Sequence, residues 1–191
     1  MQLGIENTAM PSNRAANIFV AHHFIATGVK SLQESDKVKP NSKKPEPELW
    51  LTLLGKASVG MTCLAQGFEL CLAAIVQAEK ISLGKKSQHS LIKPFRAIYN
   101  QSDKLQVNID AIVKGDNGDL PVNIANEVIS LLEQNFFVAR YFGVDQDRRH
   151  LNIVNHLHAA QLSMALALTY PRILRPAELA PTIGFKTSSS R

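Results

Sequence analysis

Cysteine is nearly missing from this chain, with only Cys63 and Cys71 among 191 residues. The two lie eight positions apart in one apolar stretch, where a continuous helix would keep their sulfurs apart, so a disulfide framework is excluded. Buried free thiols of a reducing compartment are the expectation. Cysteine pairs at zinc spacing are also absent, as are a Gly-rich phosphate loop and any internal repeat. No metal and no cofactor is therefore expected. Strand-type alternation hardly occurs. The chain does not open on a basic stretch followed by an apolar run and a small-residue cleavage site, and the expected location is cytoplasmic. Charge of one sign is in modest excess, 21 Lys plus Arg against 16 Asp plus Glu. That balance permits a phosphate-bearing partner without requiring one.

What remains is ample apolar material, 45% of the chain, enough for the core of a single domain. The longest apolar run, Leu49 to Val76, invites comparison with a membrane span. Lys56 and Glu69 are costly in hydrocarbon, and Gly55, Gly60 and Gly67 interrupt the run, so a buried bundle helix is expected and no membrane.

Helical spacing organises most of the sequence. Ala16, Phe19, Val20, Phe24 and Val29 predict a helix from Asn13 to about Leu32, capped by Ser12 or Asn13. Residues 33–47 read as a linker in which Lys37, Lys39, Lys43 and Lys44 alternate with prolines and serines. Met61, Leu64, Phe68, Cys71, Leu72 and Ile75 mark one face of a long helix beginning at Glu48. A break follows at Gly84 to Gln88. Two short helices carry Leu91, Ile92, Phe95 and Ile98, then Leu105, Val107, Ile109 and Ile112, with Pro94 in a first turn. Gly115 to Asp119 has the composition of a turn. Pro121 opens a helix striped by Ile124, Val128, Leu131, Leu132 and Phe136, which Gly143 ends. Asp145 is the expected cap of a last helix running to about Tyr170. The expected fold is all-α, a bundle of four to five core helices with an additional N-terminal helix. Its parts are an N-terminal helix and linker over residues 1–46, a bundle over 47–171 and a tail over 172–191.

The last segment carries the candidate chemistry. On a continuous helix, Arg149 and His156 fall about 20° apart, and Asn152 about 60° from Arg149. Leu151, Val154, His158, Leu162 and Ala165 cluster on the opposite side. A second apolar row, Ile153, Leu157, Ala160 and Met164, flanks the polar pair. A helix apolar on two sides is buried on two sides, so a second copy of the chain is the expected partner, with a homodimer seam near Arg149 and His156. A guanidinium grips a phosphodiester through paired hydrogen bonds, and an imidazole exchanges protons near neutral pH. Helical rise would place them roughly 10 Å apart, a span a nucleotide covers.

Two further stretches carry a resemblance. Gly67-Phe68-Glu69-Leu70 through Gln88-His89-Ser90-Leu91, and the turn Arg140-Tyr141-Phe142-Gly143, resemble motifs of the HEPN (higher eukaryotes and prokaryotes nucleotide-binding) superfamily. Arg149 and His150, followed by His156 after six residues, resemble its arginine–histidine signature. Gln88 and Ser90 stand where the loop motif has glycine and aspartate, and Phe142 where the turn has proline. The resemblance spans roughly residues 48–170. It implies an all-α, typically dimeric protein that interacts with RNA or a nucleotide, and a metal-independent ribonuclease of a toxin or defence system. Arg149 and His156 would be catalytic, with His150 and Asn152 binding substrate. The alternatives are a non-catalytic HEPN-like module partnering another protein such as a nucleotidyltransferase, and a helical assembly protein.

Other polar residues read as structural. His156 and His158 lie about 200° apart on a helix and cannot share an ion. His158 is expected in the core, and His22 and His23 point to different sides. Glu69 is either a buried partner of Arg140 or Arg149 or a solvated carboxylate. The lysines of 37–44 are either a contact for nucleic acid or, as such runs more often are, a solvated stretch.

Overall fold

The structure, a computed structural model, describes residues 13–37, 47–83, 90–140 and 152–174. It is all-α: among the described residues there is no strand. The elements are α1 (Asn13–Lys37), α2 (Pro47–Ala78), α3 (Ile92–Gln101), α4 (Asp103–Ile112), α5 (Pro121–Arg140), α6 (His156–Thr169) and the single turn α7 (Pro171–Leu174).

Helix α2 is the axis of the bundle. Met61, Leu64, Phe68, Cys71, Leu72 and Ile75, the six positions its periodicity marks, are all buried. Helices α1, α3 and α5 cover this helix. At about 1.5–3 kcal/mol for each large side chain withdrawn from water, this one face supplies much of the drive to fold. Among the described residues α2 is also the helix long and apolar enough to cross a membrane by length and composition. Of the apolar window on this helix, 56% is buried against its neighbours, while Leu51 and Val59 face outward. Its end is set by backbone geometry: Lys80 adopts a left-handed φ of 53°, and the Ile81 N–H donates to the Val76 carbonyl at 3.0 Å. This closure satisfies a carbonyl that the last turn leaves open.

Helix α1 runs antiparallel along α2 and contributes to the core. A Cβ on Gly28 would lie 2.9 Å from the Gly60 carbonyl oxygen, and one on Gly67 would lie 2.9 Å from the Ala21 carbonyl. Glycine is what lets the two backbones approach this closely. The face of α1 turned to α2 is therefore Ile18, Ala21, Ile25 and Leu32, all buried. Phe19 and Val20, expected on the buried stripe, are 54% and 40% exposed. Aliphatic side chains flanking Gly28 take the contact face, because that glycine and Gly60 and Gly67 of α2 set where the two backbones meet. Helix α1 also runs past Leu32 to Lys37, into the stretch read as linker. Lys39, Lys43 and Lys44 lie outside the described residues.

The remaining helices close the bundle. Ser102 separates α3 from α4 and caps α4, accepting from the Leu105 N–H at 3.1 Å. At the start of α3 Leu91 makes no side-chain bond and the Ser90 hydroxyl accepts only from the Lys93 N–H at 3.4 Å, so the other donors need a cap from elsewhere. Glu133 of α5 supplies it: one carboxylate oxygen accepts from the Ser90 hydroxyl at 3.1 Å and from the Leu91 and Ile92 N–H groups at 2.6 and 2.8 Å. A carboxylate at a helix N-terminus satisfies orphan donors and meets the positive end of the dipole. Helix α6 lies antiparallel to α4, with Asn108 Nδ2 donating to Thr169 Oγ1 at 2.8 Å and the Lys114 N–H to Gln161 Oε1 at 3.3 Å.

Candidate functional site

The segment entering α6, residues 152–155, is not helical. Asn155 has φ −62° and ψ 120°, and its side chain accepts from the Leu157 N–H at 2.9 Å, so α6 starts at His156. Upstream, Val154 is buried and its N–H donates to the Met61 sulfur at 3.4 Å. The local sequence Asn152-Ile153-Val154-Asn155 favours this break: two β-branched residues stand between two asparagines whose side chains compete for backbone groups. The expectation of one helix from Asp145 to Tyr170 is therefore corrected. The wheel that set Arg149 about 20° from His156 assumed helical rotation through residues 152–155, which are not helical. Arg149, His150, Leu151 and Asp145 lie outside the described residues. Asn152 is exposed in the non-helical approach, a turn's length of chain before the helix.

His156 meets a partner that the sequence did not disclose. Its Nδ1 lies 2.7 Å from Oδ2 of Asp36, at the far end of α1. An ionised carboxylate only accepts, so Nδ1–H donates and, in the neutral ring, Nε2 carries the free lone pair. The His156 side chain is 16% exposed and that of Asp36 is 60% exposed. The pair thus sits at the protein surface with its imidazole half sheltered. It also ties the end of α1 to the start of α6.

Beside this pair α6 is apolar on both sides, as its sequence implies. Ala159, Leu162, Ala165 and Leu166 are buried against the bundle. Leu157, Met164 and Leu168 form a row on the outer side and are 58%, 52% and 52% exposed, with Ile153 at 46% just upstream. Between this row and α1 lies an apolar groove of about 480 Å³, floored by Ile25, Val29, Ala160 and Ala167 and edged by Lys30 and Gln33. Solvent-facing apolar surface that is contiguous, rather than scattered, marks a place where something binds.

The other candidate residues are accounted for by the fold. His22 Nε2–H donates to the Leu174 carbonyl, fastening α7 to α1, whereas His23 is exposed. His158 is half-buried rather than in the core, and Glu69 is half-buried on α2. Cys63 and Cys71 are both free; burial pushes the Cys71 thiol up to about 12 and raises the half-buried Cys63. Such thiols are poor nucleophiles and poor ligands. Among the described residues no group of three or more His, Cys, Asp or Glu side chains is placed to hold a metal ion. A second cavity of about 300 Å³ lies at the other end of the bundle, among Glu79, Ser102, Lys104, Thr169 and Tyr170. There burial, aided by the Glu79 carboxylate and opposed by a bond to Ser102, raises the Tyr170 hydroxyl. Lys56 and Glu34 pair at 3.1 Å on the α1–α2 surface, and that bond holds the Glu34 carboxyl below its ordinary value.

No protein-family model, curated protein or solved structure matches the chain.

Proposed function

We propose that this chain is an HEPN-like protein that acts on RNA as a homodimer, in the cytoplasm and within a toxin or defence system. The observation that carries the reading is the Asp36–His156 pair at the end of the exposed apolar row on α6. Two copies joined along Leu157, Met164 and Leu168 would bring two such imidazoles to one seam. The carboxylate on Nδ1 leaves Nε2 as the proton acceptor, which is the arrangement a general base needs.

In the reaction this arrangement serves, Nε2 of His156 takes the proton of a ribose 2′-hydroxyl. The 2′-oxygen bonds to phosphorus, and the bond to the 5′-oxygen breaks, that oxygen leaving with a proton from solvent or from the second imidazole. Arg149 is assigned the scissile phosphate, where a guanidinium stabilises the charge that develops. His150 and Asn152 would hold the flanking chain. No step needs a metal.

One observation favours a second reading, a non-catalytic module that binds RNA, a nucleotide or a partner protein such as a nucleotidyltransferase. The non-helical residues 152–155 remove the helical alignment of Arg149 with His156. In that reading Asp36 and His156 only latch α1 to α6. A simple assembly protein would use the α6 row alone.

Cleavage of a structured RNA by the purified protein, with chelator present, separates these readings. Wild type cleaves, His156→Ala and Arg149→Ala each lose at least about a hundredfold, as removal of an acid–base or charge-stabilising group does. Asp36→Asn lowers the rate less and leaves RNA affinity unchanged. Equal activity in all four proteins discards the nuclease assignment.

A further inference from the structure

Three helix ends meet around the cavity of about 300 Å³ at the other end of the bundle. Glu79 directly follows α2, Thr169 and Tyr170 close α6, and Gln101, Ser102 and Lys104 span the junction of α3 with α4. Ile81 is the one aliphatic side chain in the lining.

Part of this polar lining is taken up by the fold. Tyr170 and Ser102 bond to each other, and Ser102 also caps α4. Thr169 Oγ1 donates to the Ala165 carbonyl and accepts from Asn108. Glu79, Gln101 and Lys104 are left over. All three are exposed at the rim, and among the described residues no side-chain hydrogen bond or ion pair engages them. Glu79 and Lys104 thus border one cavity without pairing across it. The backbone field has the same polarity as these two charges. The C-termini of α2 and α6 put the negative ends of their dipoles at Glu79 and Tyr170, and the N-terminus of α4 puts its positive end at Lys104.

We propose that this cavity binds a small zwitterion, a free α-amino acid with a polar, uncharged side chain. Its ammonium meets Glu79 and its carboxylate meets Lys104, beside the first N–H groups of α4, which have no partner within the helix. Asp103, the acidic residue of that turn, does not line the cavity. A ligand of one sign would face a like charge on one wall, whereas a zwitterion matches both. The size suits a free amino acid, since about 300 Å³ is the lower end of the range for ligand pockets. With a single aliphatic side chain in the lining and the Gln101 amide offering donors and an acceptor, a polar side chain is the better fit. The cavity lies about 20 Å along α6 from His156, so the inference rests on neither the nuclease reading nor the homodimer.

Isothermal titration of the full chain with L-glutamine, L-asparagine, L-serine and L-threonine, each to about 10 mM, tests it. At least one should bind with a Kd at or below about 1 mM, as a ligand of about ten heavy atoms can. The deaminated and decarboxylated analogues of that amino acid should each bind at least about fivefold more weakly, the effect of losing one exposed charge pair. Glu79→Lys and Lys104→Glu should each weaken binding by a similar factor with the melting temperature unchanged, since both side chains are exposed. The double variant, with its charges exchanged, should bind more tightly than either single variant. No heat from any of the four amino acids, a one-charge analogue that binds as well as its parent, or a double variant no better than the singles would each overturn the proposal.

Discussion

Leu157→Asp should dissociate the proposed homodimer and leave the protomer folded. Leu157 is 58% exposed in the single chain, so about half of its side chain remains to be covered. Full burial of a leucine is worth about 1.5–3 kcal/mol, which leaves about 1 kcal/mol to be gained at a seam. A twofold axis repeats the residue, so the pair contributes about 2 kcal/mol, before the cost of burying two carboxylates is added. At 1.4 kcal/mol per factor of ten, the dissociation constant rises at least about 25-fold. Adding Met164→Asp, 52% exposed, multiplies the effect to several hundredfold. Sedimentation equilibrium over a concentration series reads the constant, and thermal unfolding of dilute protein reads the fold. Because both side chains face solvent in the protomer, unfolding stability should move by no more than about 0.5 kcal/mol. Val107→Asp is the control, since Val107 is 65% exposed on α4, on a different helix. A change below threefold for Leu157→Asp, or an equal change for Val107→Asp, would refute the assignment of the seam.

Three further outcomes test the fold that carries this surface. Glu133→Ala strips one oxygen of three donors at the start of α3 and should destabilise by about 2–4 kcal/mol, while Glu133→Gln, which keeps an acceptor, costs about 1 kcal/mol. Chemical denaturation measures both, and equal losses would show that the cap is not the cause. Met61→Leu preserves volume but leaves the buried Val154 N–H without its sulfur acceptor. About 1–3 kcal/mol should be lost, with faster hydrogen exchange at Val154, whereas exposed Met164→Leu changes neither. Burial raises the Cys71 thiol from 9.0 to about 12, so the folded state retains a proton that the unfolded chain releases across this interval. Stability should therefore fall as pH rises above about 9, and Cys71→Ala should flatten that slope in urea titrations at successive pH values. A slope unchanged by Cys71→Ala would assign the alkaline loss to other groups.

Much of the helix order was legible because one physical signal, apolar spacing of three and four, dominates where a helix is buried along its length. All six positions read from α2 are core, and Pro121, Pro94 and the Gly115–Asp119 turn fall where their backbone preferences require. Gly118 adopts a left-handed φ of 75° there. Helix α1 was legible in existence but not in facing. Its large side chains suggested one stripe, and close backbone approach at Gly28, Gly60 and Gly67 selected another. The start of α6 was hidden for a different reason. Asp145, Asn152 and Asn155 are all good capping residues, so composition alone could not choose among them. In the structure the Asn155 side chain caps α6, and just upstream the Met61 sulfur of α2 takes the Val154 N–H.

The candidate site divides along the same line. That α6 carries two apolar rows follows from its own residues, and the structure leaves Leu157, Met164 and Leu168 open as that pattern implies. Asp36 follows from nothing local. It sits near the start of a lysine-rich stretch that reads as linker, 120 residues from His156. It reaches the imidazole because α1 continues in helical form through Lys37, and because the glycines of the α1–α2 seam let α1 lie close enough to α2 to flank α6 as well. The chemistry proposed for His156 thus depends on backbone packing remote from it. A substitution that widens the seam, such as Gly60→Val, should separate Asp36 from His156 without touching either residue. It would therefore resemble Asp36→Asn in any RNA-cleavage assay while also lowering stability, and that combination distinguishes a positioned imidazole from one that acts alone.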